Sequence, residues 1–221
     1  MAAKIHEYAG DKIIVRYDVK RCIHAEECVH GLPVVFKRNE RRWIQPEGAT
    51  ADEIAAVVMR CPTGALHFER NDEGRPETIS DENVIRVSPN GPLYIHGDIV
   101  LTSPDGSIIL EDTRVALCRC GASKNKPFCD NSHLDISFPD EGIAAKGSTA
   151  LAETVATSRQ PLRITPSSNA SLQLKGTMEI MNAAGDVIFR GKEAFLCRCG
   201  GSKNKPFCDG SHSRVGFSDL N

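Results

Sequence analysis

The chain has 221 residues, 40% of them hydrophobic, and its 27 Lys and Arg against 29 Asp and Glu leave a net charge of −2. That length suits two or three small units, and the near-neutral balance gives no general attraction to nucleic acid or an anionic membrane, so neither is an expected partner. No stretch approaches the roughly 18 apolar residues of a membrane-spanning helix, and the N-terminus lacks the apolar core of a secretory signal, so a cytoplasmic protein is expected.

From the N-terminus, alternation in Lys12–Tyr17 predicts a short strand leading to Asp18 and the first cysteines. Cys22 and Cys28 follow, then an extended piece at Trp43-Ile44 and a loop carrying Pro46 and Gly48. Thr50-Ala51-Asp52-Glu53 is a capping-box pattern, with Ile54, Val57 and Val58 behind it at helical spacing. The helix should stop at Cys61-Pro62, because proline disfavours helix in the residue before it. Phe36 and Trp43 are expected to fill a small core or cover the cysteines. His6, His67 and His96 belong to no constellation and are expected to face solvent or bond to backbone. Asn71–Pro76 reads as a linker, which assigns residues 1–76 to the first unit.

Beyond the linker a sixteen-residue segment occurs twice: CRCGASKNKPFCDNSH at Cys118–His133 and CRCGGSKNKPFCDGSH at Cys197–His212, 79 residues further on. The same offset relates Gly97 to Gly176, Gly106 to Gly185, Leu117 to Leu196 and Phe138 to Phe217. Ile85–Pro89 resembles Leu162–Pro166 at an offset of 77. Each copy therefore starts with short strands and turns and ends in a ligand loop, over residues 84–140 and 160–221. Between them Pro139–Gln160 is rich in small and polar residues, with Ile143 and Ala150–Val155 as local packing candidates. It is long enough to let the copies face each other. Two copies suit a monomer with an internal pseudo-two-fold better than a solenoid.

The nine cysteines form three groups of three: Cys22, Cys28, Cys61; Cys118, Cys120, Cys129; Cys197, Cys199, Cys208. An odd total set among histidines fits disulfides poorly and metal ligation in a reducing compartment well. In C-x-C-x8-C-x3-H, an extended chain aims the first two thiols to one side. Pro127-Phe128 turns the chain into the third, Asp130 suits a helix N-cap, and Cys129 and His133 stand four residues apart on one side of a helical turn. Cys197, Cys199, Cys208 and His212 repeat the set. Three cysteines and a histidine close a tetrahedral zinc shell, yet zinc fingers more often carry C-x2-C pairs, so spacing alone leaves zinc and iron–sulfur both open. Ser123 and Ser202 stand where they would donate to a bound sulfide or brace the turn. Lys124, Lys126, Lys203 and Lys205 would offset negative charge, meet an acidic partner, or lie as solvated loop charges. Phe128 and Phe207 read as packing that shields the site.

These blocks resemble the mitoNEET-like CDGSH iron–sulfur family, whose signature is C-x-C-x2-[S/T]-x3-P-x-C-D-G-[S/A/T]-H. Cys197, Cys199, Ser202, Pro206, Cys208, Asp209, Gly210, Ser211 and His212 match it throughout; the first block departs only at Asn131, a residue tolerant of left-handed backbone angles. The resemblance implies a [2Fe-2S] cluster on three cysteines and one histidine in each block. Ser123, Lys126, Asp130, Ser202, Lys205 and Asp209 would surround the clusters. It also implies that one chain supplies both halves of what is elsewhere a homodimer.

Cys22-Ile23-His24-Ala25-Glu26-Glu27-Cys28 with Cys61-Pro62 resembles a divergent single-cluster bacterial ferredoxin in which Ala25 replaces the second cysteine. This implies a [3Fe-4S] cluster on Cys22, Cys28 and Cys61. The alternatives are a [4Fe-4S] cluster with a fourth ligand from His24, His30 or solvent, and three buried cysteines without metal. The expected fold class is α+β: a small N-terminal ferredoxin-like unit, then two mostly-β CDGSH units pairing as an intramolecular pseudo-dimer. The expected function is one-electron transfer to a redox partner protein, with cluster storage, delivery to an apo-acceptor, or redox and pH sensing as the alternative. A third possibility is a structural zinc protein. No nucleotide loop or nucleophile–base pattern points to an enzyme.

Overall fold

The structure is a computed structural model describing residues 4–144, 150–151 and 160–219. The chain forms two compact units, Met1–Thr78 and Ile79–Asn221. The fold is mostly β with short helices. Among the described residues no helix is long and apolar enough to cross a membrane.

In the first unit, β1 (Ile5–Ala9), β2 (Ile13–Asp18) and β3 (Leu66–Arg70) form an antiparallel sheet in the order β1-β2-β3. Ile13 and Val15 on β2 and Leu66 and Phe68 on β3 alternate into one buried face, as a half-covered sheet requires. That face packs on Ile54, Val57 and Val58 of α2 (Ala51–Val58), with Phe36 and Ile44 completing the core. The capping box is present: the Glu53 N–H donates to Thr50 Oγ1 at 3.3 Å and the Thr50 N–H donates to the Glu53 carboxylate at 2.9 Å. The helix ends at Val58, and one further turn, with the Cys61 N–H on the Val58 carbonyl, carries the chain to Cys61. The short α1 (Glu27–Gly31) holds Cys28. Trp43-Ile44 contributes one bridge, Phe36 to Ile44, rather than a strand.

Among its described residues the second unit forms a seven-stranded sheet to which both copies contribute. Its strands are β4 (Val84–Val87), β5 (Leu93–Thr102), β6 (Ile108–Leu117), β7 (Ala150–Leu151), β8 (Leu162–Pro166), β9 (Leu172–Met181) and β10 (Val187–Leu196). Each copy supplies a short strand and a hairpin of two ten-residue strands, β4 with β5–β6 and β8 with β9–β10. The long inner strands change partner midway. Leu93–His96 of β5 pair antiparallel with β4 of their own copy, and Ile99–Leu101 pair parallel with Leu162–Ile164 of the other. Leu172–Lys175 of β9 pair with β8, and Glu179–Met181 pair parallel with Val84–Arg86. The switch falls at Gly97 and Gly176, the repeat-matched pair. Asn83 ties this crossing, its side chain accepting from the Asp98 N–H at 2.9 Å and donating to the Thr177 carbonyl at 2.9 Å.

One core serves both copies. Ile85, Ile95, Ile99, Leu101 and Leu117 from the first interleave with Ile164, Leu174, Ile180 and Leu196 from the second, all essentially solvent-free. Each such side chain contributes about 1.5–3 kcal/mol on burial, so the copies stabilise each other. Leu117 and Leu196 are the last residues of β6 and β10, which anchors the first ligand cysteine of each block to this core. The spacer segment Ala150–Val155 lies largely outside the described residues; its backbone at Ala150–Leu151 forms β7, parallel to β10.

Candidate metal centres

Each ligand block is a loop folded back on the strand that leads into it. The Cys118 N–H donates to the Pro127 carbonyl at 2.8 Å and the Cys129 N–H donates to the Ala116 carbonyl at 3.0 Å, around a Leu117–Phe128 bridge. The first and third cysteines therefore stand on the same face, diagonally across that bridge. Cys197, Pro206, Cys208 and Phe195 repeat the arrangement, with 2.8 Å for both bonds and a Leu196–Phe207 bridge. The Lys126–Pro127 and Lys205–Pro206 peptides are both cis.

The ligand atoms stand as two pairs in each copy. Cys118 Sγ lies 3.7 Å from Cys120 Sγ, and Cys129 Sγ lies 3.5 Å from His133 Nδ1. In the second copy the same distances separate Cys197 from Cys199 and Cys208 from His212. Among the described residues no three His, Cys, Asp or Glu side chains converge where a single ion would sit. The histidines sit on four-residue helices, α3 (Ser132–Asp135) and α4 (Ser211–Arg214). The chain enters these helices through Asn131 at φ 71° and Gly210 at φ 80°. Asparagine thus takes the left-handed conformation that glycine takes in the other copy.

Asp130 precedes the capping position and braces the loop from there: its carboxylate accepts from the Ser132 N–H at 3.0 Å and the Lys124 N–H at 2.8 Å. Asp209 does the same for Ser211 and Lys203, and those bonds, led by the Ser211 hydroxyl, hold its carboxyl well below the usual range. The Ser123 and Ser202 hydroxyls donate to the Phe128 and Phe207 carbonyls, each at 2.7 Å, so both serines fasten the turn. The thiols receive backbone N–H groups: Asn131 on Cys129, Gly210 on Cys208 and Gly201 on Cys199, at 3.4–3.5 Å. Such donors favour thiolate over thiol. The hydrogen bond between Cys118 and Cys120 pulls the first thiol below its ordinary value and pushes the second up. Burial pushes Cys129 and Cys199 up to about 11, so in the absence of metal these remain thiols at neutral pH.

Residues not singled out as site residues complete the setting. Arg119, between the first two cysteines, is fully buried; its guanidinium donates to the Gly91 carbonyl at 3.0 Å, the Ser88 carbonyl at 2.6 Å and Asp140 at 2.5 Å, and stands 5.1 Å from the Phe138 centroid. Arg198 pairs with Asp219 and stands 5.1 Å from Phe217. The Asp140 N–H donates to Asn90 Oδ1 at 2.8 Å and the Asp219 N–H to Asn169 Oδ1 at 2.9 Å. All four pairs (Arg119 and Arg198, Phe138 and Phe217, Asp140 and Asp219, Asn90 and Asn169) are identical residues at the repeat offset of 79, which is the signal that finds them. Lys126 and Lys205 reach across copies, Lys126 to the Phe217 ring and Lys205 to the Phe138 ring and Asp140.

In the first unit, Cys22 from the loop after β2, Cys28 from α1 and Cys61 from the turn after α2 line one cavity of about 210 Å³. Tyr17, His24, Ala25 and Trp43 share its wall, and Ala25 lies at an exposed edge. Trp43 therefore does both things expected of it, joining the core and covering the cysteines; Tyr17 packs on it edge to face at 4.9 Å. The third cysteine's loop is fixed by Arg21, which donates to the Thr63 carbonyl at 2.6 Å. Burial pushes Cys28 up to about 11, and burial beside Cys22 pushes Tyr17 above its ordinary range. His30 points at Glu26, 3.7 Å away, and is not among the residues lining the cavity. His6 and His96 are exposed, whereas His67 bonds to the Glu77 carboxylate at 2.9 Å.

Comparison with known proteins agrees with this division. A family profile described as an iron-binding zinc finger of CDGSH type matches residues 90–134 and 169–213. One described as a divergent 4Fe-4S mono-cluster matches residues 8–71. The uncharacterized protein YjdI of Escherichia coli strain K12, and that of Escherichia coli O157:H7, share this N-terminal region. Each is 33% identical over 61 residues, spanning 28% of this chain and 80% of the relative.

Proposed function

Because this chain belongs to the iron-binding CDGSH family, with a divergent 4Fe-4S mono-cluster unit ahead of its two CDGSH units, we propose that it is a three-centre, one-electron carrier. In this reading each CDGSH block holds a [2Fe-2S] cluster on Cys118, Cys120, Cys129 and His133, or on Cys197, Cys199, Cys208 and His212. Cys22, Cys28 and Cys61 hold a [3Fe-4S] cluster, or a [4Fe-4S] cluster whose fourth iron takes an outside ligand at the Ala25 edge. The blocks form the two halves of an internal pseudo-dimer, which the reciprocal pairing of β4 with β9 and β8 with β5 supports. The chain works as a cytoplasmic carrier for a partner protein and catalyses no reaction of its own.

The observation that carries this reading is the pairing of ligand atoms. With metal–sulfur bonds of about 2.3 Å and tetrahedral angles, two thiolates on one metal stand about 3.8 Å apart, and a thiolate and an imidazole somewhat closer. The spacings of 3.7 Å and 3.5 Å have that form, and each block carries two such edges, one for each iron of a binuclear cluster. The cluster supplies single-electron chemistry, and the protein sets its potential. Backbone N–H groups on the thiolates and a neutral imidazole in place of a fourth thiolate both raise the potential relative to an all-cysteine site.

Anaerobic purification with iron and sulfide counting, EPR and a reductive titration tests the proposal. A brown protein reduced and reoxidised without loss of iron supports it. A colourless protein carrying only zinc rejects it, and release of clusters to an apo-acceptor on oxidation or mild acid, without reversible reduction, points to delivery instead.

A further inference from the structure

Gly121 and Gly200 follow the second cysteine of each block, and each lies against the cysteine of the other copy. A Cβ placed on Gly121 would stand 2.8 Å from the Cys199 carbonyl oxygen, and one on Gly200 would stand 2.6 Å from the Cys120 carbonyl oxygen. Carbon and oxygen that are not bonded do not approach so closely, so a side chain at either position would push the two loops apart. Both glycines also adopt positive φ, 85° and 75°. Positive φ alone does not demand glycine in these loops, since Asn131 meets the same demand at φ 71°. The missing Cβ is required by the contact between the copies.

We propose that this glycine pair joins the two CDGSH sites into one electron-exchanging unit, so that a partner docked at one site draws on both. The inference rests on the reading of these sites as redox clusters. The route runs from Cys120 Sγ through its own covalent bonds to its carbonyl oxygen. One van der Waals step crosses to Gly200 Cα, whose amide nitrogen is bonded to the carbonyl carbon of Cys199, and bonds lead on to Cys199 Sγ. The reciprocal route runs from Cys199 through its carbonyl to Gly121 and Cys120. Electronic coupling falls much more steeply across a gap than along bonds, so a route with a single contact step couples the sites far better than one through solvent or loose side chains. One site is oxidised as the other is reduced, and neither a proton nor an outside reactant enters the exchange.

The test is EPR on the full chain, poised at half and at full reduction of the CDGSH pair. At half reduction about half of the molecules carry one unpaired electron in the pair, and at full reduction all of them carry two. Splitting or broadening of the CDGSH lines at full reduction is the expected result. Lines that superimpose at the two levels after scaling would overturn the proposal, even if iron and sulfide are present in full. Absence of iron and sulfide would instead fail the underlying reading. The double variant Gly121→Asn, Gly200→Asn keeps the positive-φ tolerance and adds the side chains. In protein that retains its iron, the broadening should be reduced or lost; unchanged broadening would remove the glycine contact from the route. Should the variant not load clusters, lines that superimpose in the parent still overturn the proposal, and an isotropic splitting, which through-space dipolar coupling does not produce, still supports it.

Discussion

The Lys205 ammonium of the second copy stands 6.0 Å from the ring centroid of Phe138 in the first, the ring that Arg119 also covers at 5.1 Å. Lys205 lies inside the ligand loop of its own copy, where its ammonium donates to the Ser202 carbonyl at 2.6 Å. The state of one ligand loop is thereby tied to the arginine-bearing segment of the other. Lys126 makes the equivalent reach to Phe217, 5.8 Å away.

This brace has a measurable strength. Lys205→Gln should destabilise the unit by about 1–2 kcal/mol, between the exposed and desolvated limits of a cation–π contact. Phe138→Ala should cost about 3–5 kcal/mol, because a buried ring is removed as well. A double-mutant cycle in thermal or denaturant unfolding separates the shared contribution. If the two effects add without coupling, Lys205 and Phe138 do not interact across the copies.

In the first unit the position to change is Ala25. It lines the cysteine cavity but offers no donor. Ala25→Cys should convert a three-iron centre into a four-iron one, raising iron at this site from three to four and removing the EPR signal that an oxidised [3Fe-4S] cluster gives. An unchanged spectrum and iron content would place Ala25 off the open corner of the cluster.

Thr50 tests whether that cysteine site depends on its helix. Thr50→Ala removes the capping box and should cost about 1 kcal/mol. Because α2 leads directly to Cys61, hydrogen exchange should quicken along Ala51–Val58, and iron loss from the N-terminal centre should quicken with it. Iron in the two CDGSH sites should be unchanged.

The reach of the sequence can be judged from particular residues. The capping box at Thr50 and Glu53 was legible because it is a local reciprocal bond between residues three apart. The paired blocks were legible because ligand chemistry fixes residue type and spacing together. Strand β1 was not, since Ile5–Ala9 is exposed along most of its length and shows no alternation. The partner exchange of β5 and β9 was not legible either. It depends on pairing Ile99–Leu101 with residues about sixty positions away, and only Gly97 and Gly176 mark the switch locally. Ser123 and Ser202 show the limit for a site: their residue type fits a donor to sulfide and a turn brace equally well, and the brace comes into view only with the 2.7 Å bonds to Phe128 and Phe207.

The two CDGSH sites should also part company in acid. His133 is 9% exposed, and burial, reinforced by the positive charge of Arg119, lowers its pKa; Asp130 and Asp135 oppose this only in part. His212 and Cys208 are both more open to solvent than their counterparts. Only a neutral imidazole binds metal, and the ordinary histidine value is about 6.5. A lowered value means that the folded site binds fewer protons than the unfolded chain. Its contribution is therefore present above the ordinary value and is lost only as pH falls through the lower, folded one. The first site should thus hold its cluster to lower pH than the second. Asp209 does not compete for this role, because its carboxyl stays ionised well below the range in which histidines titrate. The measurement is visible absorbance during stepwise acidification of His133→Cys and His212→Cys, each of which leaves one histidine-ligated CDGSH site. His212→Cys, which keeps the buried histidine, should bleach at the lower pH. The reverse order would mean that exposure and Arg119 do not govern release.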